Sequence, residues 1–340
     1  MIRNILIIIV FIILAALLVA SLAWRDYRQF ENAVLVERGT LTLFVESGET
    51  LSTLVSKLDR LGLDQRDWRW RLAGRLHRPS IQAGEYRIEA GASRLQVLAR
   101  LARGEVVRHR FTIIEGWTLA RLRRALAEDS RLVQHVPELP VGELMQRLGC
   151  DGCFAEGRFL PETYQFARGD RDLDLLARSY RAMGRELDRA WHQRDPALPL
   201  ATPEELLILA SLVEMESMID RERAQVAGVF IRRLQRGMRL QTDPTVVYGL
   251  DDDFDGRIRT IHLRTDHPWN TYTRHGLPPT PIGLPGVASI RAAASPAEGS
   301  ALYFVARGDG SHVFSDTLAE HNQAVRRYIL GRPAAAKVDR

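Results

Sequence analysis

Residues 5–24 (ILIIIVFIILAALLVASLAW) carry no formal charge over twenty positions. As an α-helix such a run reaches about 30 Å, one hydrocarbon core, which a buried helix of a soluble protein seldom matches without a charge. The run predicts a single membrane span. Ser21-Leu22-Ala23 has the small-x-small form of a cleavage site, but the apolar stretch exceeds the ~7–15 residues of a signal peptide, so an uncleaved anchor is expected. Arg3 on one side and Arg25 and Arg28 on the other nearly balance the positive-inside count. The long segment that follows decides the orientation, because long domains translocate largely regardless of charge. Residues 1–4 are then cytoplasmic, 5–24 cross the cytoplasmic (inner) membrane, and the body lies in the periplasm.

With 46% apolar and 26% charged residues in 340, the remainder must fold by burial, which excludes a disordered chain, a collagen and a disulfide miniprotein. The net charge of +5 comes almost wholly from arginine, since Lys57 and Lys337 are the only lysines. It shows no stripe along one face, so no nucleic-acid partner is expected. Cys150 and Cys153 supply only half of a zinc site, and in an exported protein such a pair can close a local disulfide loop.

Residues 25–40 read as a polar spacer that lifts the first domain off the bilayer. One pattern then occurs three times: an apolar run, a Glu- and Gly-containing turn, a Ser or Thr, and a helical period. The copies are 41–45 with Glu46, Gly48 and Thr50; 86–88 with Glu89, Gly91 and Ser93; and 111–114 with Glu115, Gly116 and Thr118. Each Ser or Thr stands where an N-cap accepts the orphan amides of the helix it opens. The expected fold class is α+β: a small α+β subdomain at 41–110, a larger mixed α/β domain at 111–331, and a flexible tail at 332–340. In the larger domain helices are expected at 172–191, 203–215, 221–236 and 317–330, and strands at 301–304 and 312–314.

The helix opened by Thr202 and Pro203 carries leucine, isoleucine, alanine and valine on every face from 206 to 213 and ends on Glu214 and Glu216. Burial and the negative end of the helix dipole both disfavour a carboxylate at Glu214, so it can stay protonated near neutrality and serve as the general acid that glycosidic cleavage needs. Glu216 points about 200° away and is expected in solvent or paired with Arg221 or Arg223. Gln241, Thr242, Asp243 and Tyr248 offer amide, hydroxyl and carboxylate groups beside a flat ring. The loop 269–286 (WNTYTRHGLPPTPIGLPG) is stiffened by proline and must present Asn270, Thr271 and Tyr272 in fixed positions. A further block, 156–166, alternates apolar rings with Glu156 and Glu162. Asp251-x-Asp253-x-Asp255-Gly256 opens like a calcium loop but has His262 where a bidentate Glu is required. His262, His267 and His275 lack helical metal-ligand spacing, so neither metal nor cofactor is expected.

The segments EGWTL (115–119), EGRFLPETY (156–164), ASLVEMES (210–217), VAGVFIRRLQRGMRLQTDPTVVYGL (226–250), NTYTRHGLPP (270–279) and LYFVARGDGSHVFS (302–315) resemble those of the YceG-like family of endolytic murein transglycosylases. The resemblance implies a LysM-like subdomain at 41–110. It implies that Glu214, at the first Glu of the A-S-[IL]-V-E-x-E segment, is the catalytic residue. It implies a membrane-anchored lyase that cuts the MurNAc–GlcNAc β-1,4 bond within peptidoglycan glycan strands to give 1,6-anhydroMurNAc ends, terminating nascent strands beside the peptidoglycan synthases. Gln241, Asn270, Tyr272, Asp243, Tyr248 and Glu162 are then candidates for substrate binding. Glu162 and Asp243 also compete for the role of a second carboxylate, which would make the enzyme a hydrolase. Met215 departs from the family's usual Lys and removes a cation beside Glu214. The alternative is a non-catalytic scaffold that holds peptidoglycan at the membrane.

Overall fold

The computed structural model describes residues 2–65, 67–217, 219–250 and 254–331, so the start of the calcium-like sequence and the tail 332–340 lie outside the described residues. The chain divides into two compact units, one running to His109 and including Gln165–Asp170, the other comprising Arg110–Tyr164 and the chain from Arg171 onward.

The first unit contains α1 (Ile2–Asn32), β1 (Thr40–Val45), α2 (Leu51–Arg60), α3 (Trp68–His77), β2 (Gly84–Glu89), α4 (Arg94–Arg103) and the start of β3 (Arg108–Thr112). β1 and β2 pair antiparallel from Thr40↔Glu89 to Val45↔Gly84. Thr50 and Ser93 close capping boxes on α2 and α4, as the repeated pattern predicts, and Gly104 ends α4 in the left-handed region at φ +64°. The expected spacer at 25–40 is corrected here. Residues 25–32 continue α1 without a break, and Tyr27, Phe30, Leu35 and Val36 are buried in this unit's core with Leu43, Leu58 and Ile88. Burying those side chains outweighs leaving the segment extended in water. α3, which the sequence reading missed, opens on Asp67, whose carboxylate accepts from the Arg69 amide at 3.0 Å.

The second unit continues through α5 (Leu119–Glu128), α6 (Val141–Arg147), the start of β4 (Thr163–Ala167), α7 (Asp172–Gln193), α8 (Pro203–Glu216), α9 (Asp220–Gln235), α10 (Asp243–Leu250), α11 (Thr260–Arg264), α12 (Val287–Ala294), β5 (Tyr303–Ala306), β6 (His312–Ser315) and α13 (Leu318–Val325), which runs into a π-helical turn at Arg326–Leu330. Every residue of α8 from Leu206 to Val213 is buried, so this helix forms the axis of the core and α7, α9, α10 and α12 pack around it. Thr202 caps it by accepting from the Glu205 amide at 3.2 Å. β5 and β6 form an antiparallel hairpin from Tyr303↔Ser315 to Ala306↔His312. Arg232 and Arg233 of α9 tie down the approach to the hairpin, donating at 2.7 Å to the carbonyls of Ala301 and Leu302 respectively. Cys150 and Cys153 form a disulfide across a tight turn after α6.

Candidate active site

Glu214 occupies the last turn of α8, where the apolar run gives way, and its side chain is 6% exposed. The apolar setting expected around it is absent. Nη1 of Arg223, on α9, donates to its Oε2 at 2.7 Å, and the Gly286 amide donates to the same oxygen at 2.9 Å. Gly286 is the N-cap of α12, so the carboxylate also meets the positive end of that helix. Among the described residues, none donates to Oε1 at hydrogen-bond distance. The cation beside Glu214 is therefore Arg223, from the next helix.

The neighbouring segments hold this geometry in place. Ser211 Oγ accepts from the Ile282 amide at 3.1 Å, pinning the proline loop to α8. Leu284 and the 116–117 segment exchange backbone bonds, Gly116 N to Leu284 O at 2.9 Å and Leu284 N to Trp117 O at 2.8 Å. That pairing carries Glu115 over Gly286, where a β-carbon would lie 1.8 Å from Glu115 Oε1, so residue 286 must be glycine for Glu115 to stand there. Nη2 of Arg223 reaches Glu115 Oε2 at 3.4 Å, and Nη1 also donates to Ser289 Oγ at 2.5 Å. Burial first, and then the charge of Glu214, push the Glu115 carboxyl above its ordinary value. Two carboxyls thus share one guanidinium.

The second Glu of the segment behaves contrary to expectation. Glu216 pairs with neither Arg221 nor Arg223; Thr242 Oγ1 donates to its Oε1, and burial pushes its carboxyl up to about 6, with Asp243 adding in the same direction. Glu216 lines a cavity of about 560 Å³ together with Gln241, Asp243, Tyr272 and His312. Three of the predicted binding residues therefore gather around Glu216. Tyr272 donates to Asp243 at 2.5 Å, and Gln241 is exposed with φ +50°, a left-handed conformation unusual for a side-chain-bearing residue. Thr242, Thr245 and Thr271 form a buried hydroxyl cluster beneath them, with Thr245 Oγ1 and Thr271 Oγ1 at 2.9 Å.

The remaining candidates sit elsewhere. Tyr248 donates to Glu156 at 3.2 Å and packs against Trp269, with ring centroids 5.6 Å apart, beside a cavity of about 440 Å³. Burial pushes Glu156 up to about 7, although the Leu119 amide at the start of α5 and Tyr248 both donate to it. Asn270 is 2% exposed. Its amide donates to the carbonyls of His262, Leu263 and Thr265, and its oxygen accepts from the Tyr272 amide, so it shapes the loop from within. Glu162 is exposed at the foot of β4. The sequence reading missed Arg223 and Gly286 as partners of Glu214 and Ser289 as a partner of Arg223, and their only advance signal was an arginine pair in an acidic helix start and a Gly closing a proline-rich loop.

The family model described as YceG-like matches residues 43–327. The chain belongs to the YceG-like family. It is 27% identical over 314 residues to a Bacillus subtilis (strain 168) protein named endolytic murein transglycosylase, a match covering 86% of each chain. It is 24% identical over 330 residues to a protein of the same name from Streptococcus pneumoniae (serotype 2, strain D39), covering 85% of this chain and 58% of that protein. The fold of this YceG-like chain is similar to the crystal structure of a yceG-like protein from Listeria monocytogenes, with a TM-score of 0.54, 24% identity, and coverage of 85% of this chain and all of the other.

Proposed function

We propose that this chain is a membrane-anchored endolytic peptidoglycan lytic transglycosylase, with residues 5–24 in the bilayer, a LysM-like module at 41–110 and a catalytic domain at 111–331. Family membership and the names of its relatives support the activity, and the long apolar start of α1 supports the anchor. Working beside peptidoglycan synthases to terminate new strands is part of the same reading.

The observation that carries the chemistry is the asymmetry of Glu214: one oxygen anchored by Arg223 and Gly286, the other unclaimed. An acid–base residue needs a fixed carboxyl with one oxygen turned to substrate. Glu214 and Glu115 face the same guanidinium, and the general-acid step starts with the proton on Glu214 Oε1. Oε1–H protonates the bridging oxygen between MurNAc and GlcNAc as the C1–O bond breaks. The Glu214 carboxylate, stabilised by Arg223 and the Gly286 amide, then takes the proton of the muramyl C6 hydroxyl while O6 bonds to C1. The proton returns to Glu214 and no water is consumed.

A second reading has Glu216 as the acid, favoured by its carboxyl at about 6 and by its cavity with Gln241, Asp243 and Tyr272. Mass spectrometry of products from purified glycan strands tests the reaction. Ends lighter by one water are expected; reducing ends would make the protein a hydrolase, and intact strands a scaffold.

A further inference from the structure

We infer that α3 is a membrane-interface helix whose Trp68, Arg71 and Arg75 bind acidic phospholipid headgroups. The inference rests on the reading of α1 as a membrane span.

The position of α3 follows from its contacts with α1. Arg69, near its start, pairs with Asp26 at 3.2 Å, while His77, at its end, lies 3.5 Å from the Tyr27 hydroxyl and 2.6 Å from Glu31. Arg69 meets Asp26 and Phe30 while His77 meets Tyr27 and Glu31, so the two ends of α3, about 12 Å apart along its own axis, touch stretches of α1 centred only about 1.5 Å apart. The two helices therefore cross steeply. With α1 along the bilayer normal, α3 lies close to the membrane plane. Its contacts run from Asp26 to Glu31, so its axis lies about 7 Å beyond Trp24, where the uncharged run ends. The headgroup layer is roughly 5–8 Å deep on each side of the hydrocarbon, so α3 lies within it. The crossing is held firmly, since Phe30 of α1 packs edge-on against Trp70 at 5.3 Å and the Arg69 guanidinium covers the Phe30 ring at 4.7 Å.

The outward face of α3 has the composition such a layer selects. Trp70 and Ala73 face the core, while Trp68 (49% exposed), Arg71, Arg75 and Leu76 (50%) lie on the opposite side. Aromatic and aliphatic groups mixed with arginines mark helices that lie in the membrane interface. Beside this face is a cavity of about 590 Å³, lined by Trp68, Arg71 and Arg75 and, across from them, Leu51, Ser52 and Val55 of α2. Asp67 also lines it, but its carboxylate is taken up by Arg69, whose Nε donates at 2.7 Å. Among the described residues no carboxylate lies within ion-pair distance of Arg71 or Arg75. An anionic phosphate answers both arginines, and the bilayer entered by α1 brings it to that level.

The test uses the full chain reconstituted in vesicles of phosphatidylcholine, with and without phosphatidylglycerol, and follows amide hydrogen exchange across residues 68–78. Phosphatidylglycerol is expected to slow exchange in α3 by roughly fivefold or more, the preference that a single arginine near an anionic surface contributes. Salt should weaken the effect. The Arg71→Glu/Arg75→Glu pair should abolish it, and the milder Arg71→Gln/Arg75→Gln pair should do so with the fold and the cleavage of soluble strands intact. Equal exchange in both vesicles, or protection that survives both double variants, overturns the inference while leaving the anchor standing. Protection by soluble glycan strands in pure phosphatidylcholine would mark a glycan surface and overturn it too. A chain that fails to float with the vesicles defeats the anchor reading itself.

Discussion

Arg223 Nη1 donates to Glu214 Oε2 at 2.7 Å, and both side chains are 6% exposed, so the carboxylate and its counter-charge leave water together. Removing one partner of such a pair strands the other, at a cost on the order of 3–5 kcal/mol. Arg223→Gln should lower stability by that amount at neutral pH. The loss should shrink as the pH falls, because protonating Glu115, whose carboxyl burial pushes up, removes part of the uncompensated charge. Urea unfolding across pH checks this.

Glu214→Gln keeps an oxygen for the Arg223 and Gly286 donors but carries no transferable proton. Turnover on glycan strands should fall by about 10²–10⁴ in a chain that still folds, with a smaller stability loss than in Arg223→Gln because Glu115 and Asp220 remain paired with Arg223. Glu216→Gln should cost less than tenfold, because the amide still accepts from Thr242. The opposite ranking would move the acid to Glu216 and its cavity.

Glu156 provides a separate pH signature. Its folded carboxyl is held at about 7 against an ordinary 4.5, so the stability it contributes is fully present below about 4.5 and is lost as the pH rises through 7. Glu156→Gln, which can still accept from Leu119 and Tyr248, should match the wild type near pH 4 and exceed it near pH 8 by on the order of 3 kcal/mol. Denaturant midpoints at the two pH values decide it.

Gly286→Ala would drive a methyl into Glu115, whose Oε1 lies 1.8 Å from the new carbon position. The half-exposed Glu115 side chain must swing away from Arg223, so we expect a stability loss of about 1 kcal/mol or less together with reduced turnover. Adding Glu115→Ala should restore the stability but not the activity. A double variant no more stable than Gly286→Ala would mean that the clash is not with Glu115.

Gln241 holds a left-handed backbone at φ +50°, which costs a side-chain-bearing residue on the order of 1 kcal/mol. Gln241→Gly should therefore leave stability unchanged or improve it. If the amide binds glycan, KM should rise, and an unchanged KM would remove Gln241 from the binding set.

Local rules were legible in the sequence. The caps at Thr50, Ser93, Thr118 and Thr202 are set by their own i+3 amides, and a helix apolar on every face, as α8 is, has nowhere to lie but in a core. The uncharged run 5–24 likewise announces one long apolar helix. What the next residues do was not legible, because whether 25–32 extends into water or joins a core depends on Leu43, Trp70 and Ile88 being there to receive Tyr27 and Phe30. The same limit applies to the two glutamates. Their position at the end of α8 is a sequence fact, yet Arg223 and Gly286 converge on Glu214, Glu115 and Ser289 join them through Arg223 from separations of up to 108 residues, and Thr242 and Asp243 reach Glu216 from the start of α10. Sequence spacing describes one helix, whereas the charge state of a carboxyl depends on every dipole and ion within a few ångströms of it, and only the packed fold decided which those are.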